Sequence, residues 1–315
     1  MSSTAGAEGE TAYNGLSIVL PTFNEGGSIQ QVIQSLLSLT SHRAIEILVV
    51  DDDSRDGTAD LVRQLARQDP RIRIIQRVGR SGLASAIKEG LIAAIHPIAV
   101  VMDSDGQHEP SAVLEAVRCL EAGGFDLVAG SRFLDHSRIH GLSDRRTDGS
   151  TVANRLARWS LPPNYRHLTD CMSGFLVLRL SPCLPIIRQV DVSGFQFFYE
   201  LLAISRGQLQ VAEIPLTFQP RLHGSSKLDS AILWDFLVSL LHTATLRLVP
   251  RRAISFGLVG ATGVVVQLLT TALLMTGLGL GFQQALPVAV ITAASSNFLV
   301  NNALTFRDRR QHGRR

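Results

Sequence analysis

The sequence predicts an α/β protein: a doubly wound, mainly parallel sheet, followed by an amphipathic helix and two membrane-spanning helices. Three observations predict it. Apolar, β-branched runs alternate with helix-like segments, and each run closes on a polar or acidic cluster. Far downstream, residues 253–306 contain no Asp, Glu, Lys, Arg or His. Strands alternating with helices imply a parallel sheet, and such sheets bind ligands beyond the carboxyl ends of their strands.

The elements follow in order. Residues 1–14 are dominated by Ser, Thr, Gly and Glu, lack an apolar core, and predict a disordered start rather than a secretory signal. Residues 16–20 form the first apolar run, closed by Pro21-Thr22-Phe23-Asn24-Glu25 and followed by a helix over 28–39. Residues 45–50 form the second, closed by Asp51-Asp52-Asp53-Ser54-Arg55-Asp56-Gly57-Thr58, with a helix over 58–67. Residues 98–102 form the third and run directly into Asp103-Ser104-Asp105-Gly106-Gln107, with a helix over 110–121. If the backbone stays extended past that strand, Asp103, Asp105 and Gln107 project to one side, because side chains alternate with period two. Two carboxylates and an amide oxygen form a hard-cation site suited to Mg²⁺ or Mn²⁺, and such an ion would neutralise a diphosphate. The three clusters together predict a nucleotide pocket in one crevice.

Composition narrows the function classes. The chain has 315 residues, 45% of them hydrophobic, and a formal net charge of +3, which gives nucleic-acid binding no electrostatic support. Its mean hydropathy of +0.19 is high for a soluble enzyme. Cys119, Cys171 and Cys183 fit neither a zinc spacing nor a disulfide frame, and predict reduced thiols in a cytoplasm-facing domain.

The uncharged stretch is too long for one span and suits two, over 254–275 and 285–305, each matching a hydrocarbon core of about 30 Å. Small residues (Gly257, Gly260, Gly263, Ala289, Ala293) allow close helix packing in lipid. Asn297, Asn301 and Asn302 either bind the hairpin together or sit at the interface. Arg247, Arg251 and Arg252 precede the hairpin, and Arg307, Arg309 and Arg310 follow it. Arginines on both flanks put the enzyme domain and both termini in the cytoplasm, at the cell membrane. Before the hairpin, Leu233, Trp234, Phe236, Leu237, Leu240 and Leu241 recur at helical spacing, which predicts an interfacial helix over 228–250. The expected division is thus 1–14, a catalytic domain over 15–227, the helix over 228–250, a hairpin over 251–306, and a basic tail over 307–315.

Five motifs now stand in order: IVLPTFNE (18–25), VVDDDSRDGT (49–58), VVMDSDGQ (100–107), GSR (130–132) and SGF (173–175). In that order they resemble glycosyltransferase family 2, nearest to its dolichol- and polyprenyl-phosphate hexosyltransferases. RLHGSSK (221–227) closes the series, and the likeness spans roughly residues 16–229. The resemblance implies a GT-A-type sheet and a nucleotide sugar held by Pro21, Phe23, Glu25, Val50, Asp51, Asp52, Asp103 and Ser104. It implies a metal on Asp103, Asp105 and Gln107, with Asp105, Arg132 and Arg146 catalytic. Arg132, Arg146, Ser150, Arg221 and Lys227 would face an acceptor phosphate, with Arg145 a rival to Arg146. The implied reaction inverts the sugar, moving mannose from GDP-mannose onto dolichyl or polyprenyl phosphate at a lipid bilayer; UDP-glucose is the alternative donor. The hairpin resembles the first half of a four-span GtrA-type membrane domain, closing on NNALTFR (301–307). A non-enzymatic lipid-sugar translocation module has no use for the acidic cluster. A processive polysaccharide synthase needs a Q-x-x-R-W signature, which the chain lacks.

Overall fold

A computed structural model describes residues 15–39, 43–79, 81–134, 137, 144–192, 196–217 and 230–305. The chain divides into two compact units, Met1–Lys227 and Leu228–Arg315. The first is built on a seven-stranded sheet: β1 (Leu16–Thr22), β2 (Ile45–Asp51), β3 (Ile72–Gln76), β4 (Ile98–Val101), β5 (Leu127–Ser131), β6 (Leu176–Arg179) and β7 (Val211–Pro215). Their order is β3-β2-β1-β4-β6-β5-β7. β3, β2, β1 and β4 run parallel, β6 is antiparallel to both its neighbours, and β5 pairs parallel with β7.

Between and after the strands lie α1 (Ile29–Leu39), α2 (Thr58–Gln68), α3 (Leu83–Ala93), α4 (Ser111–Gly123), α5 (Asp144–Ser160), α6 (Leu180–Gln189) and α7 (Phe197–Ser205). β1, β2, β4 and β5 are buried along their whole length, as parallel strands covered on both faces must be. Side-chain alternation divides the core. Ile18, Leu20, Ile47 and Val49 pack with Ile33 and Leu36 of α1, Val62 of α2 and Val113 and Val117 of α4. Val19 and Val50 point the other way, against Gly90 of α3. Each buried aliphatic side chain contributes about 1.5–3 kcal/mol, so this two-sided core holds the strand ends in register.

An acid also enters the sheet near its amino-terminal edge. Glu46 is buried beneath the amino-terminal edge, where it accepts bonds from Ser17 Oγ (2.6 Å) and the Ile95 amide (2.7 Å) and pairs with Arg73. Three partners satisfy the charge, so its place in an apolar strand is structural.

The second unit holds α8 (Ser230–Ala244), α9 (Arg251–Gly277) and α10 (Phe282–Val300), the last running into a π-helical turn at Asn301–Thr305. α9 buries Ser255, Val259 and Gly263, and α10 buries Ala285, Ala289 and Ala293, each set four residues apart. Small residues at that spacing let two helices approach closely. Asn297 lies over Gly263, where a Cβ would fall 2.3 Å from its amide nitrogen. That residue therefore packs inside the hairpin. Trp234 Nε1 of α8 donates to Ser255 Oγ of α9 (2.9 Å). Among the described residues, one helix, Arg251–Gly277, is long and apolar enough to cross a membrane. α10 falls short because Gln283, Gln284 and Asn297 dilute its 19 residues. The helix expected over 228–250 is shorter, ending at Ala244 before a turn with left-handed Leu246 and Arg247.

Gly90 gives the packing a test. A Cβ there would lie 2.3 Å from Val19 Cγ1 and 3.0 Å from Val50 Cγ2, so α3 would have to lift from the sheet. Overpacking costs about 1–3 kcal/mol, whereas Gly to Ala inside a helix gains about 1 kcal/mol. Gly90→Ala should therefore lower the thermal unfolding midpoint of the solubilised chain. A midpoint at or above that of the unaltered chain would contradict this packing.

Candidate active site

The carboxyl end of β1 is the meeting point. Because β1 lies between β2 and β4, the loops after all three strands converge there. Most of the bonds that join them pair a side chain with the backbone, and those of Ser28 and Ser104 to backbone carbonyls are buried. Asp52 N donates to Thr22 O (2.8 Å), and Ser104 Oγ to Pro21 O (3.1 Å). Ser28 Oγ donates to Ser104 O (2.9 Å) and to Glu25 Oε2 (2.9 Å), tying the first loop to the third. The first and second loops are laced by Asn24 N to Ser54 Oγ, Glu25 N to Thr58 Oγ1 and Gly26 N to Asp56 Oδ2. Asn24 and Asp53 adopt left-handed backbone, a conformation that Asn and Asp tolerate better than most residues.

Of the residues expected at the nucleotide, Asp51 stands out. It is fully buried; its Oδ2 accepts the Ser54 amide (3.1 Å), while its Oδ1 has no hydrogen-bond partner among the described residues. A buried acceptor left open is costly, and it suits an N–H or O–H donor from a ligand. Pro21 is buried, and Phe23 and Glu25 are half-buried at the rim. Asp52 is used differently. Its carboxylate takes Arg77 Nη1 (2.9 Å) and the amides of Ser81 (2.9 Å) and Gly82 (2.8 Å), which shapes the loop before α3. Val50 packs its side chain beneath Gly90.

The acidic cluster after β4 departs from the expected geometry. The backbone does not stay extended: β4 ends at Val101, residues 104–106 bend, and Gly106 is left-handed at φ 79°. The Gln107 amide donates back to Asp105 Oδ1 (3.0 Å), an Asx-type turn. Period-two alternation therefore does not orient Asp103, Asp105 and Gln107; the turn does. Asp105 is buried, whereas Asp103 keeps about a third of its side chain exposed. Gly174 leaves room for Asp103, since a Cβ at that position would fall 3.1 Å from Asp103 Oδ2. Among the described residues, no three His, Cys, Asp or Glu side chains gather as a metal group. The turn carries the carboxylates of Asp103 and Asp105 and the side-chain amide of Gln107.

His108 holds this turn from behind. It is buried, edge-on to Phe175 at 5.7 Å between ring centroids, and its Nδ1 accepts the Asp103 amide (3.1 Å). Burial pushes the imidazole down to about 4, with Asp105 raising and Arg132 lowering it. The ring is therefore neutral near pH 7, consistent with Nδ1 as an acceptor.

Arg132 is fixed by a buried acid. Its Nε donates to Asp170 Oδ2 (2.7 Å) and its Nη2 to Asp170 Oδ1 (2.9 Å), a bidentate pair. Asp170 is held in turn by Glu213, which accepts the amides of Thr169 (2.7 Å) and Asp170 (2.8 Å). Burial raises the Glu213 carboxyl, and these hydrogen bonds partly offset it. Engaged in this way, Glu213 is a support and not a free base. Glu200 is buried within the apolar α7. Sequence reading missed Asp170, His108, Ser28 and Asn154. The one cue to Asp170 was its position three residues before the SGF run. Arg146 and Ser150 lie on α5, with side chains outside the described part; Arg221 and Lys227 lie outside the described residues.

Comparison with known proteins bears on the fold and the family. Residues 17–178 match the model for "Glycosyl transferase family 2", and residues 255–315 match that for "GtrA/DPMS, transmembrane domain". A dolichol-phosphate mannosyltransferase of Pyrococcus furiosus is 29% identical, covering 94% of this chain and 82% of that one. A polyprenol monophosphomannose synthase of Mycolicibacterium smegmatis is 31% identical, covering 68% and 81%. Among solved structures, glucosyl-3-phosphoglycerate synthase of Mycobacterium tuberculosis with phosphoglyceric acid superposes with a TM-score of 0.55 at 23% identity, covering 76% and 82%. The same enzyme with Mn²⁺, UDP-glucose and phosphoglyceric acid gives 0.54 at 25%, again covering 76% and 82%. With its seven-stranded sheet, its acidic turn after β4 and a family match spanning half its length, the chain belongs to glycosyltransferase family 2.

Proposed function

We propose that this protein is a membrane-bound inverting glycosyltransferase that moves mannose from GDP-mannose onto dolichyl or polyprenyl phosphate. The observation that carries the reading is the pairing, across β1, of two features at one sheet edge. On one side is the buried, unpartnered Asp51 Oδ1; on the other is the Asp103/Asp105 turn. Such a pair suits a nucleoside at one end and a diphosphate at the other. Glucosyl-3-phosphoglycerate synthase, which shares this fold, was solved with UDP-glucose, so the choice of base and sugar rests on the mannosyltransferase relatives. The lipid acceptor rests on those relatives and on the transmembrane-domain match.

The donor set fits Mg²⁺ or Mn²⁺, since both cations prefer carboxylate and amide oxygens. Asp103, Asp105 and Gln107 would hold the ion, which supplies charge neutralisation for the departing nucleoside diphosphate. Pro21, Phe23, Glu25 and Ser104 line the nucleotide end with Asp51, while Asp52 and Val50 shape it from behind. A polyprenyl monophosphate is already ionised near pH 7, because a phosphate ester's second pKa is about 6. The attacking oxygen therefore needs no protein base, which agrees with Glu213 being fully engaged. The protein's task is positioning and charge stabilisation. Arg132, preset by Asp170, together with Arg146, Ser150, Arg221 and Lys227, would hold the acceptor phosphate opposite the anomeric carbon. Direct displacement then gives a β-linked product from an α-linked donor. Two spans, with the catalytic domain and both termini cytoplasmic, complete the proposal.

Four outcomes test this reading. Membranes given labelled GDP-mannose and polyprenyl phosphate should form a labelled lipid, with UDP-glucose a poorer donor. Asp105→Ala should reduce that transfer by at least about a hundredfold, and undiminished turnover in the presence of chelator would refute the metal role. Arg221→Ala should raise the polyprenyl phosphate requirement about ten- to a hundredfold, as expected for one lost charge-assisted contact, while calorimetry still registers nucleoside diphosphate with Mg²⁺. Loss of nucleotide binding with an unchanged lipid requirement would move that loop to the donor. Tags at Met1 and Arg315 should both resist protease in intact spheroplasts and be cut in inverted vesicles; opposite behaviour of the two would mean an odd number of spans.

A further inference from the structure

The SGF run (173–175) lies between the turn after β4 and the end of β5. β6 stands between β4 and β5 and is antiparallel to both, so its entry lies beside the carboxyl ends of its neighbours. Leu176 pairs with Val101. Carried two residues further, that register sets Gly174 opposite Asp103. On the other side the Gly130 amide donates to Phe175 O (3.0 Å), two residues before Arg132. Ser173 shapes the run, its Oγ accepting the Phe175 amide (3.1 Å).

Register explains the close approach at Asp103. A Cβ on Gly174 would lie 3.1 Å from Asp103 Oδ2 and 3.4 Å from Oδ1, so a larger residue there displaces the carboxylate. Gly174 has no positive φ, so the glycine gives clearance and not backbone freedom. From a second direction His108 meets Asp103 twice. Its Nδ1 accepts the Asp103 amide (3.1 Å), and its Nε2 stands 3.9 Å from Asp103 Oδ2. The imidazole is buried and set edge-on to the fully buried Phe175, so close packing holds it in one orientation.

Asp103 is thus fixed at its amide by one element and at its carboxylate by another, although 33% of its side chain is exposed. A partly exposed aspartate adds little to a core. A buried histidine and a glycine clearance committed to its pose therefore point to something that the carboxylate must meet. Ligand groups set in advance lose less rotamer freedom on binding.

We propose that His108 and Gly174 are positioning residues for a divalent cation at the turn after β4. His108 fixes the backbone of Asp103, and Gly174 leaves its carboxylate the pose that meets the ion. The inference rests on the metal reading proposed above and adds to it two residues that do not touch the ion themselves. Replacing residues that orient metal ligands typically weakens binding about ten- to a hundredfold.

The test follows Mn²⁺ itself, by electron paramagnetic resonance of the free ion as it is titrated into the full chain in detergent micelles, alone and with GDP. Gly174→Ala should weaken Mn²⁺ about tenfold. Its thermal unfolding midpoint should not move, because the atoms that give way are the end of one side chain. His108→Asn places an amide oxygen where Nδ1 stood and should bind Mn²⁺ nearly as tightly as the unaltered chain. His108→Phe keeps a ring against Phe175 but loses the acceptor, and should weaken Mn²⁺ about ten- to a hundredfold. In turnover, excess Mn²⁺ should restore kcat in Gly174→Ala and fail to do so in Asp105→Ala. Unchanged Mn²⁺ affinity in either Gly174→Ala or His108→Phe would overturn the proposal. Equal weakening in His108→Asn and His108→Phe, each with a lowered midpoint, would reduce His108 to core packing and overturn it too. Either failure leaves the metal reading standing if Asp105→Ala still loses the ion. If the unaltered chain binds no Mn²⁺ in either condition, the metal reading itself falls, and this inference with it.

Discussion

Burial of the central strands on both faces is the constraint from which the rest follows. β1, β2 and β4 offer no exposed face for chemistry, so polar groups collect at strand ends. Those at the amino edge, Ser17 and Glu46, are neutralised among themselves and by Arg73 and the Ile95 amide. At the carboxyl edge the balance is different. Ser104, Ser28 and Asp52 spend their side chains joining the loops, while Asp51 keeps a buried oxygen open among the described residues.

The end of β5 shows the same economy in a different form. Arg132 stands on the strand-end motif after β5, yet its direction comes from Asp170, and Asp170 is set by Glu213 on β7. Removing one partner from a buried ion pair costs about 3–5 kcal/mol, so this arginine is locked before any substrate arrives. Preset charge needs little reorganisation when charge develops elsewhere. His108 plays a parallel part at the end of β4, where its neutral ring receives the Asp103 amide and braces the turn.

The second unit obeys different physics. In α10 alanines recur every four residues, α9 faces them with Ser255, Val259 and Gly263, and Asn297 occupies the space that Gly263 leaves. In lipid such close approach replaces the hydrophobic driving force that builds the first unit.

How much of this was legible in the chain follows from the range of each interaction. The sheet, its parallel core and the long apolar helix were readable because periodicity and charge depletion act locally, within a few residues. The acidic run 103–107 was readable as a candidate, but its shape was not. The left-handed Gly106 and the Asx turn onto Asp105 replaced the extended geometry that alternation suggested. Asp52 and Val50 sit in a motif beside Asp51, yet only contacts with residues about 25 to 40 positions away separate their tasks. Asp170 remained hidden because its partners, Arg132 and Glu213, lie 38 and 43 residues away. By itself the sequence determined the fold class, the candidate chemistry and the apolar hairpin, because local pattern encodes each. Which carboxylate stays open, which is consumed and which orients Arg132 was decided by tertiary structure, since a hydrogen bond exists only once both partners are brought within reach.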